Sequence, residues 1–281
     1  MNEDEPTAEN NWSRAILHLD MDAFYVNVHI LDNPEDAGIP LVVGGQPDKR
    51  GVVASASYEA RQTGVRSAMP TSQARRLCPQ VKIVPANWER IRESSRQVMV
   101  VLREYGPVEQ MSVDEAYIDL SQQTQPEKVA SQIQDRVKSE TKLPCSVGLA
   151  TSKLVAKVAS DFDKPEGFTV VPSGTEAAFL APMSTRAIHG IGPRTAEKLA
   201  AMSITTCAQL ATAEFILLKQ RFGNQAESLQ QRAQGIDNRN VHSERGQAKS
   251  ISQEWTFNTD VNDAKVLTNQ LDKMCERVAK S

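Results

Sequence analysis

Ala15-Ile16-Leu17-His18-Leu19 is a short apolar run bounded by polar residues, and it ends in carboxylates, Asp20-Met21-Asp22. A run of this length reads as a buried strand. Residues 108–120 form another apolar stretch, interrupted at Ser112 and at Asp114-Glu115, and read as two strands meeting in a tight turn. On a regular strand consecutive side chains point to opposite faces, so Asp114 and Glu115 can converge on one ion only at such a turn. If the acid-bearing strands are neighbours, Asp20, Asp114 and Glu115 crowd one edge of a sheet, and their mutual repulsion demands a cation. The ordinary alternative is a set of solvated surface acids. Hard oxygen ligands favour magnesium, and two such ions about 3.5–4 Å apart would serve an in-line phosphoryl displacement. A hydrolase and a transferase could both use that site.

The rest of the chain supplies the frame. Asp22 stands at the N-cap of a helix over residues 23–31, closed by Asn33-Pro34. Residues 40–44 and 52–56 flank a turn and read as a hairpin. Residues 57–77 read as two helical pieces broken at Gly64 and Pro70, followed by a strand at 81–84 and a long helix at 88–105. The strands within 108–120, a helix over 127–141 and a strand over 145–150 then give an order of strand, hairpin, helix, strand. That order predicts a ferredoxin-like α+β sheet. Residues 151–161 read as a helix carrying Lys153 and Lys157, stopped by the turn Lys164-Pro165-Glu166-Gly167. Beyond Val171 the pattern is helical, its informative feature being Gly190-Ile191-Gly192-Pro193-Arg194. After a polar stretch at 237–248, residues 249–259 read as a strand and 262–280 as a helix.

At 281 residues and 40% hydrophobic composition the chain has room for two or three cores. Its formal net charge of -3 gives no global cationic excess, so any nucleic acid must be held by local charge. Cys78, Cys145, Cys207 and Cys275 are far apart and form no CxxC pair, which argues against a disulfide scaffold or a zinc site and fits a reducing cytosol. No apolar run approaches the roughly 18 residues that span a bilayer, and the N-terminus lacks the plan of a signal peptide. Residues 1–11 carry four acids and no base and read as a disordered leader.

Four segments in order, Leu19-Asp20-Met21-Asp22-Ala23-Phe24-Tyr25, Ala56-Ser57-Tyr58-Glu59-Ala60-Arg61, Ser112-Val113-Asp114-Glu115-Ala116-Tyr117 and Lys164-Pro165-Glu166-Gly167, resemble the motifs of the Y-family DNA polymerases. The resemblance implies a right-hand polymerase with a leader at 1–12, a ferredoxin-like palm at 13–23 and 86–171 and small fingers at 24–85. It also implies a helical helix-hairpin-helix thumb at 172–238, a linker at 239–248 and a partial little finger at 249–281. The implied activity is template-directed addition of dNTPs to a primer 3′-hydroxyl, with low fidelity and bypass of lesions.

The same resemblance assigns roles. Asp20 and Asp114 would be shared between two Mg2+ ions, for which Mn2+ could substitute, Glu115 would be the extra ligand at the primer terminus, and Met21 would add its main-chain carbonyl. Tyr58, Arg61 and Lys164 resemble a triphosphate clamp, where Arg grips phosphate as a fork and Lys as a point charge, with Ser55 as a hydroxyl donor. Tyr25 occupies the place of a sugar gate that clashes with a 2′-hydroxyl, against the plainer reading of a core aromatic. Asp22 remains a helix cap. Residues 51–56 carry small side chains and would form a loose roof over the nascent base pair. Gly190 and Gly192 would let backbone N–H groups approach a DNA phosphate, and Arg194 and Lys198 add positive charge there.

The expected partners are primer-template DNA, dNTPs and, in a full-length form, the sliding clamp; no membrane is expected, and the chain is expected to be a monomer in the cytoplasm. Little sequence follows Lys249, so most of the little finger is expected to be missing, with weak, salt-sensitive DNA binding as the consequence. Two rivals stay open: a non-catalytic DNA-binding module at primer termini, and a nucleotide cyclase with a palm-like sheet.

Overall fold

The computed structural model describes residues 12–244, 246 and 248–280; the acidic leader lies outside them. Eight strands occur among the described residues: β1 (Ile16–Met21), β2 (Leu41–Gly44), β3 (Val53–Ala56), β4 (Lys82–Val84), β5 (Val108–Gln110), β6 (Glu115–Asp119), β7 (Cys145–Ala150) and β8 (Phe168–Val170). The chain divides into two compact units. One contains the residues up to Asp22 and Arg92–Ser243, the other Ala23–Ile91 and the residues after Ser243.

The first unit is built on a sheet of order β5-β6-β1-β7-β8. β1 lies between β6 and β7 and is antiparallel to both, and β5 pairs antiparallel with β6. With the connecting helices Trp88–Arg103 and Pro126–Thr141 this is the ferredoxin-like α+β sheet expected from the element order. The central strands β1 and β7 are buried along their whole length, as a strand covered on both faces must be. Helix Lys153–Phe162 covers β7. Gly148 makes this approach possible, because a Cβ there would lie 2.1 Å from the Ala156 carbonyl oxygen and 2.4 Å from the Ser160 nitrogen. The apolar core then runs from Ile16, Leu154 and Ala159 into the helical segment through Ile188, Leu199 and Leu210.

The second unit holds the sheet β3-β2-β4, in which β2 pairs antiparallel with β3 and parallel with β4. Its two faces belong to different clusters. Val42, Val53 and Ala56 pack with Ala60 and Val65, while Leu41, Val43 and Val84 pack with Ala23 and Val26.

Four expectations need correction. β1 continues through Asp20 to Met21, so Asp20 sits inside the ladder and not beyond it. Asp22 is not a helix cap: helix Phe24–Asp32 is headed by Ala23 at φ 41°, with no side-chain cap. Phe168–Val170, unassigned between the turn at 164–167 and the helical pattern beyond Val171, is a strand parallel to β7. Residues 249–259 hold no strand, because a strand needs a backbone partner and none pairs with this segment among the described residues. The helix after it, Ala264–Ala279, forms as expected.

Gly148→Ala is expected to lower stability by about 1–3 kcal/mol, since backbone atoms of the covering helix must move. Thermal unfolding of the two proteins checks it.

Candidate active site

The acid cluster follows from strand register. β1 and β6 pair with Asp20 opposite Glu115, and the Met21 N–H donates to the Asp114 carbonyl at 3.0 Å. Ser112 holds the β5–β6 turn: its hydroxyl donates to the Asp114 carboxylate and accepts from the backbone N–H groups of Asp114 and Glu115 at 3.2 and 3.0 Å. Asp20 is buried. Helix Lys153–Phe162 and the turn after it bring two ammonium groups to the acids. Lys157 Nζ lies 2.8 Å from Glu115 Oε1 and 3.8 Å from Asp20 Oδ2, and Lys164 Nζ lies 2.5 Å from Asp20 Oδ1 and 3.0 Å from Asp161 Oδ1.

These neighbours act against burial. Burial raises the Asp20 carboxyl to about 7, with Glu115 adding to the rise and Lys164 and Lys157 opposing it. Burial also pushes Glu115 up, but the Lys157 hydrogen bond and charge outweigh it and hold Glu115 below its usual value. Lys164 is raised despite burial, because Asp20 and Asp161 favour its charged form.

Oxygen donors at the ends of neighbouring strands, already drawing in two cationic side chains, suit a divalent cation. As the side chains stand, the Asp114 carboxylate is turned to Ser112, and among the described residues no group of three His, Cys, Asp or Glu is arranged to hold a metal ion. The structure thus brings Asp20, Glu115 and Lys164 together and places Asp114 beside them through its backbone.

Asp22 has a separate position. Fully buried, it accepts from the Ser146 hydroxyl at 2.9 Å and from the Glu166 N–H at 2.8 Å. It braces the turn that carries Lys164 against β7. Lys157 escaped assignment in the sequence, although a signal existed: Lys153 and Lys157 interrupt the apolar helix Lys153–Phe162, and lysines on a buried helix face need carboxylate partners. Lys153 has one in Glu109, at 2.6 Å. His18 also went unassigned. It is fully buried, 2.7 Å from Ser160 Oγ through Nδ1 and 3.9 Å from Glu115 Oε2 through Nε2. Burial, then Lys157 and Lys164, hold its pKa well below the usual histidine value.

In the second unit, helix Tyr58–Gln62 is capped by Ser57, whose hydroxyl accepts from the Ala60 N–H. Arg61 is held by its Nε–H to the Ala56 carbonyl at 3.0 Å, with the guanidinium carbon 4.7 Å from the centre of the Tyr58 ring. On β3, Ala54 faces outward, as does Val52 just before the strand, while Ser55 is buried. Tyr25 is half-buried, its ring centroid 5.5 Å from that of Trp88 at 76°.

The helical segment of the first unit places Gly190 at φ +94°, a conformation that favours glycine. Gly192 is the N-cap of helix Pro193–Ala200, and Gly192, Arg194 and Lys198 are exposed.

Residues 19–161, which include Asp20, Asp114, Glu115 and Lys157, match the model of the impB/mucB/samB family. The chain belongs to this family. The impB/mucB/samB chain is 40% identical over 270 residues to a DNA polymerase IV of Dehalococcoides mccartyi (strain CBDB1), covering 94% of itself and 69% of that protein. It is 39% identical over 273 residues to the DNA polymerase IV of Alkalilimnicola ehrlichii, covering 95% of itself and 77% of that protein. Among solved structures it is similar to a Y-family DNA polymerase chimera with a TM-score of 0.86 at 27% identity, over 95% of this chain and 80% of that one. DinB from Sulfolobus solfataricus is similar with a TM-score of 0.76 at 26% identity, over 95% of this chain and 80% of that one.

Two outcomes follow from the acid cluster of this impB/mucB/samB member. Without divalent ions, the folded state keeps the Asp20 proton that the unfolded chain has lost above 3.8, so stability falls as pH rises from 3.8 toward about 7. The lowered Glu115 contributes the opposite slope below 4.5, in a separate window. Buried His18, held below its usual value, contributes a rise up to 6.5 in the same window, so Asp20→Asn is expected to shift the slope of stability against pH between 4.5 and 7 toward a rise relative to the unchanged protein, in denaturant titrations at stepped pH. Asp22→Ala, which strands the Ser146 hydroxyl and the Glu166 N–H, is expected to cost about 1–3 kcal/mol by the same method.

Proposed function

We propose that this chain is a template-directed DNA polymerase of the lesion-bypassing kind, using primer-template DNA and dNTPs, with Asp20, Asp114 and Glu115 as its catalytic carboxylates. The observation that carries the reading is the pairing of Asp20 with Glu115 across β1 and β6, with Asp114 bonded to Met21 at the same strand ends. Asp20, Asp114, Glu115 and the Met21 carbonyl would hold two Mg2+ ions, which Mn2+ could replace. When bound, the ions favour the ionised primer 3′-hydroxyl and neutralise charge on the triphosphate.

The chain's own residues do the rest. Lys164, held between Asp20 and Asp161, offers a cation to the triphosphate, and Arg61, aligned by the Tyr58 ring and the Ala56 carbonyl, offers a fork of N–H donors. Ser55 is the weakest member of this set, because its side chain is buried on β3. The 3′-oxygen forms a bond to the α-phosphorus as the bond to pyrophosphate breaks. Tyr25 serves as the sugar gate. Val52 and Ala54 present little bulk over the base pair, so selection by shape is weak and damaged templates are admitted. Gly190, Gly192, Arg194 and Lys198 hold the DNA backbone without reading sequence. The protein acts as a monomer in the cytoplasm, recruited by the sliding clamp.

A primer-extension assay with Mg2+ and single dNTPs tests the reading. Extension is expected, abolished by Asp114→Ala or Glu115→Ala, with Tyr25→Ala admitting ribonucleotides. A cyclic nucleotide product, or DNA binding with no turnover, would replace the polymerase with one of its rivals.

A further inference from the structure

The carboxylate pair of β1 and β6 has a neighbour at each of its oxygens. Lys157 Nζ lies 2.8 Å from Glu115 Oε1 and 3.8 Å from Asp20 Oδ2. Lys164 Nζ lies 2.5 Å from Asp20 Oδ1, and His18 Nε2 faces Glu115 Oε2 at 3.9 Å. A divalent cation is held through the same oxygen lone pairs. At Glu115 Oε1 and at both Asp20 oxygens it meets an ammonium, and like charges cannot share those oxygens without a loss of affinity.

The two lysines differ in what else they can do. Lys164 sits in the turn after the helix, and in the polymerase reading it has a second anion to go to, the triphosphate. The ion-pair partners of Lys157 are carboxylates, Glu115 and Asp20 with Asp161 as the third at 3.9 Å. Its side chain is only 15% exposed, on a helix whose residues Val155, Ala156, Val158 and Ala159 are buried. That helix is seated on β7 by the close approach at Gly148, so the fold itself delivers the ammonium to the acids. A cation fixed in this way balances the acid pair and competes for it at the same oxygens.

We propose that Lys157 is a built-in counter-cation whose hold on Glu115 and Asp20 sets how tightly the acid cluster takes a divalent ion. The proposal rests on the reading of Asp20, Asp114 and Glu115 as the ligands of those ions. Removing the ammonium has two consequences of opposite sign. Without divalent ions the protein is less stable, because two facing carboxylates lose the charge that answers them both. Affinity for the ion rises, because no ammonium has to give up the oxygens. A lysine that merely props up the site would show the first effect with the reverse of the second, since a damaged site binds more weakly.

The test titrates Mn2+ alone, read by electron paramagnetic resonance, into the unchanged protein and into Lys157→Met, Lys157→Gln, Lys157→Arg and Asp20→Asn. The titrations run at about pH 8, on the ionised side of the Asp20 carboxyl at about 7, so that a proton does not take the ammonium's place. Lys157→Met is expected to bind Mn2+ roughly 10- to 100-fold more tightly, the scale of one hydrogen bond to a charged group. Lys157→Gln, which also lacks the charge, serves where the methionine variant folds poorly and is expected to show a gain of the same sign. Lys157→Arg keeps the charge and is expected to show none. In denaturant titrations with a chelator Lys157→Met is expected to be the less stable protein, the gap narrowing as Mn2+ is added. Equal or weaker Mn2+ binding by the folded Met and Gln variants, or a gain shared by Lys157→Arg, overturns the role of Lys157 alone, provided Asp20→Asn still loses the ion. Mn2+ binding that Asp20→Asn leaves unchanged overturns the reading of the carboxylates as ion ligands, and this proposal with it.

Discussion

Two carboxylates facing each other across adjacent strands would repel, and the first unit is arranged around their neutralisation. Asp20 and Glu115 are register partners, so their proximity is fixed by the ladder and not by side-chain choice. Lys157 answers both. Its place depends in turn on how closely helix Lys153–Phe162 lies on β7, and that distance is set by the missing side chain of Gly148, which faces the backbone of Ala156 and Ser160 on either side of Lys157. A glycine in the middle of β7 thus governs the charge balance of an acid pair on β1 and β6. Burial makes the balance sensitive: the forces that lift Asp20 to about 7 would be small for an exposed acid.

Asp20 and Asp22 stand two residues apart with opposite roles, and the cause is the end of β1 at Met21. Within the strand they would share a face. Past its end Asp22 turns toward Ser146 on β7 and the Glu166 N–H, where as a buried acceptor it receives donors from two segments. The turn so fixed contains Lys164, whose ammonium returns to Asp20. The second acid of the motif therefore positions the cation that accompanies the first.

Much of the ferredoxin-like order was legible because apolar runs of strand length alternate with turns and helices in the sequence. The Asp20–Glu115 meeting was legible for the same reason, once the two runs were taken as neighbours. What could not be read is what depends on partners distant in sequence. Phe168–Val170 is three residues long and becomes a strand through β7. Residues 249–259 carry a strand-like pattern and have no strand partner among the described residues. Asp22 has the composition and position of a cap, and only the approach of Ser146 and Glu166, 124 and 144 residues away, gives it another use. Lys157 was hidden by its charge, which reads as surface until the helix face is known.

In the second unit, Ser57 joins two features that the polymerase reading uses together. Its hydroxyl accepts from the Leu41 N–H at 3.0 Å and donates to the Ile39 carbonyl at 3.0 Å, while capping helix Tyr58–Gln62. β3 ends at Ala56, whose carbonyl receives the Arg61 guanidinium. The strand that presents Ala54, with Val52 just before it, and the arginine offered to phosphate are therefore parts of one hydrogen-bonded piece. Such a piece can hold a triphosphate firmly while its outward side chains touch a base pair only lightly. Firm grip on the invariant part of a nucleotide, with little contact to the variable part, is a physical basis for accepting an imperfect template.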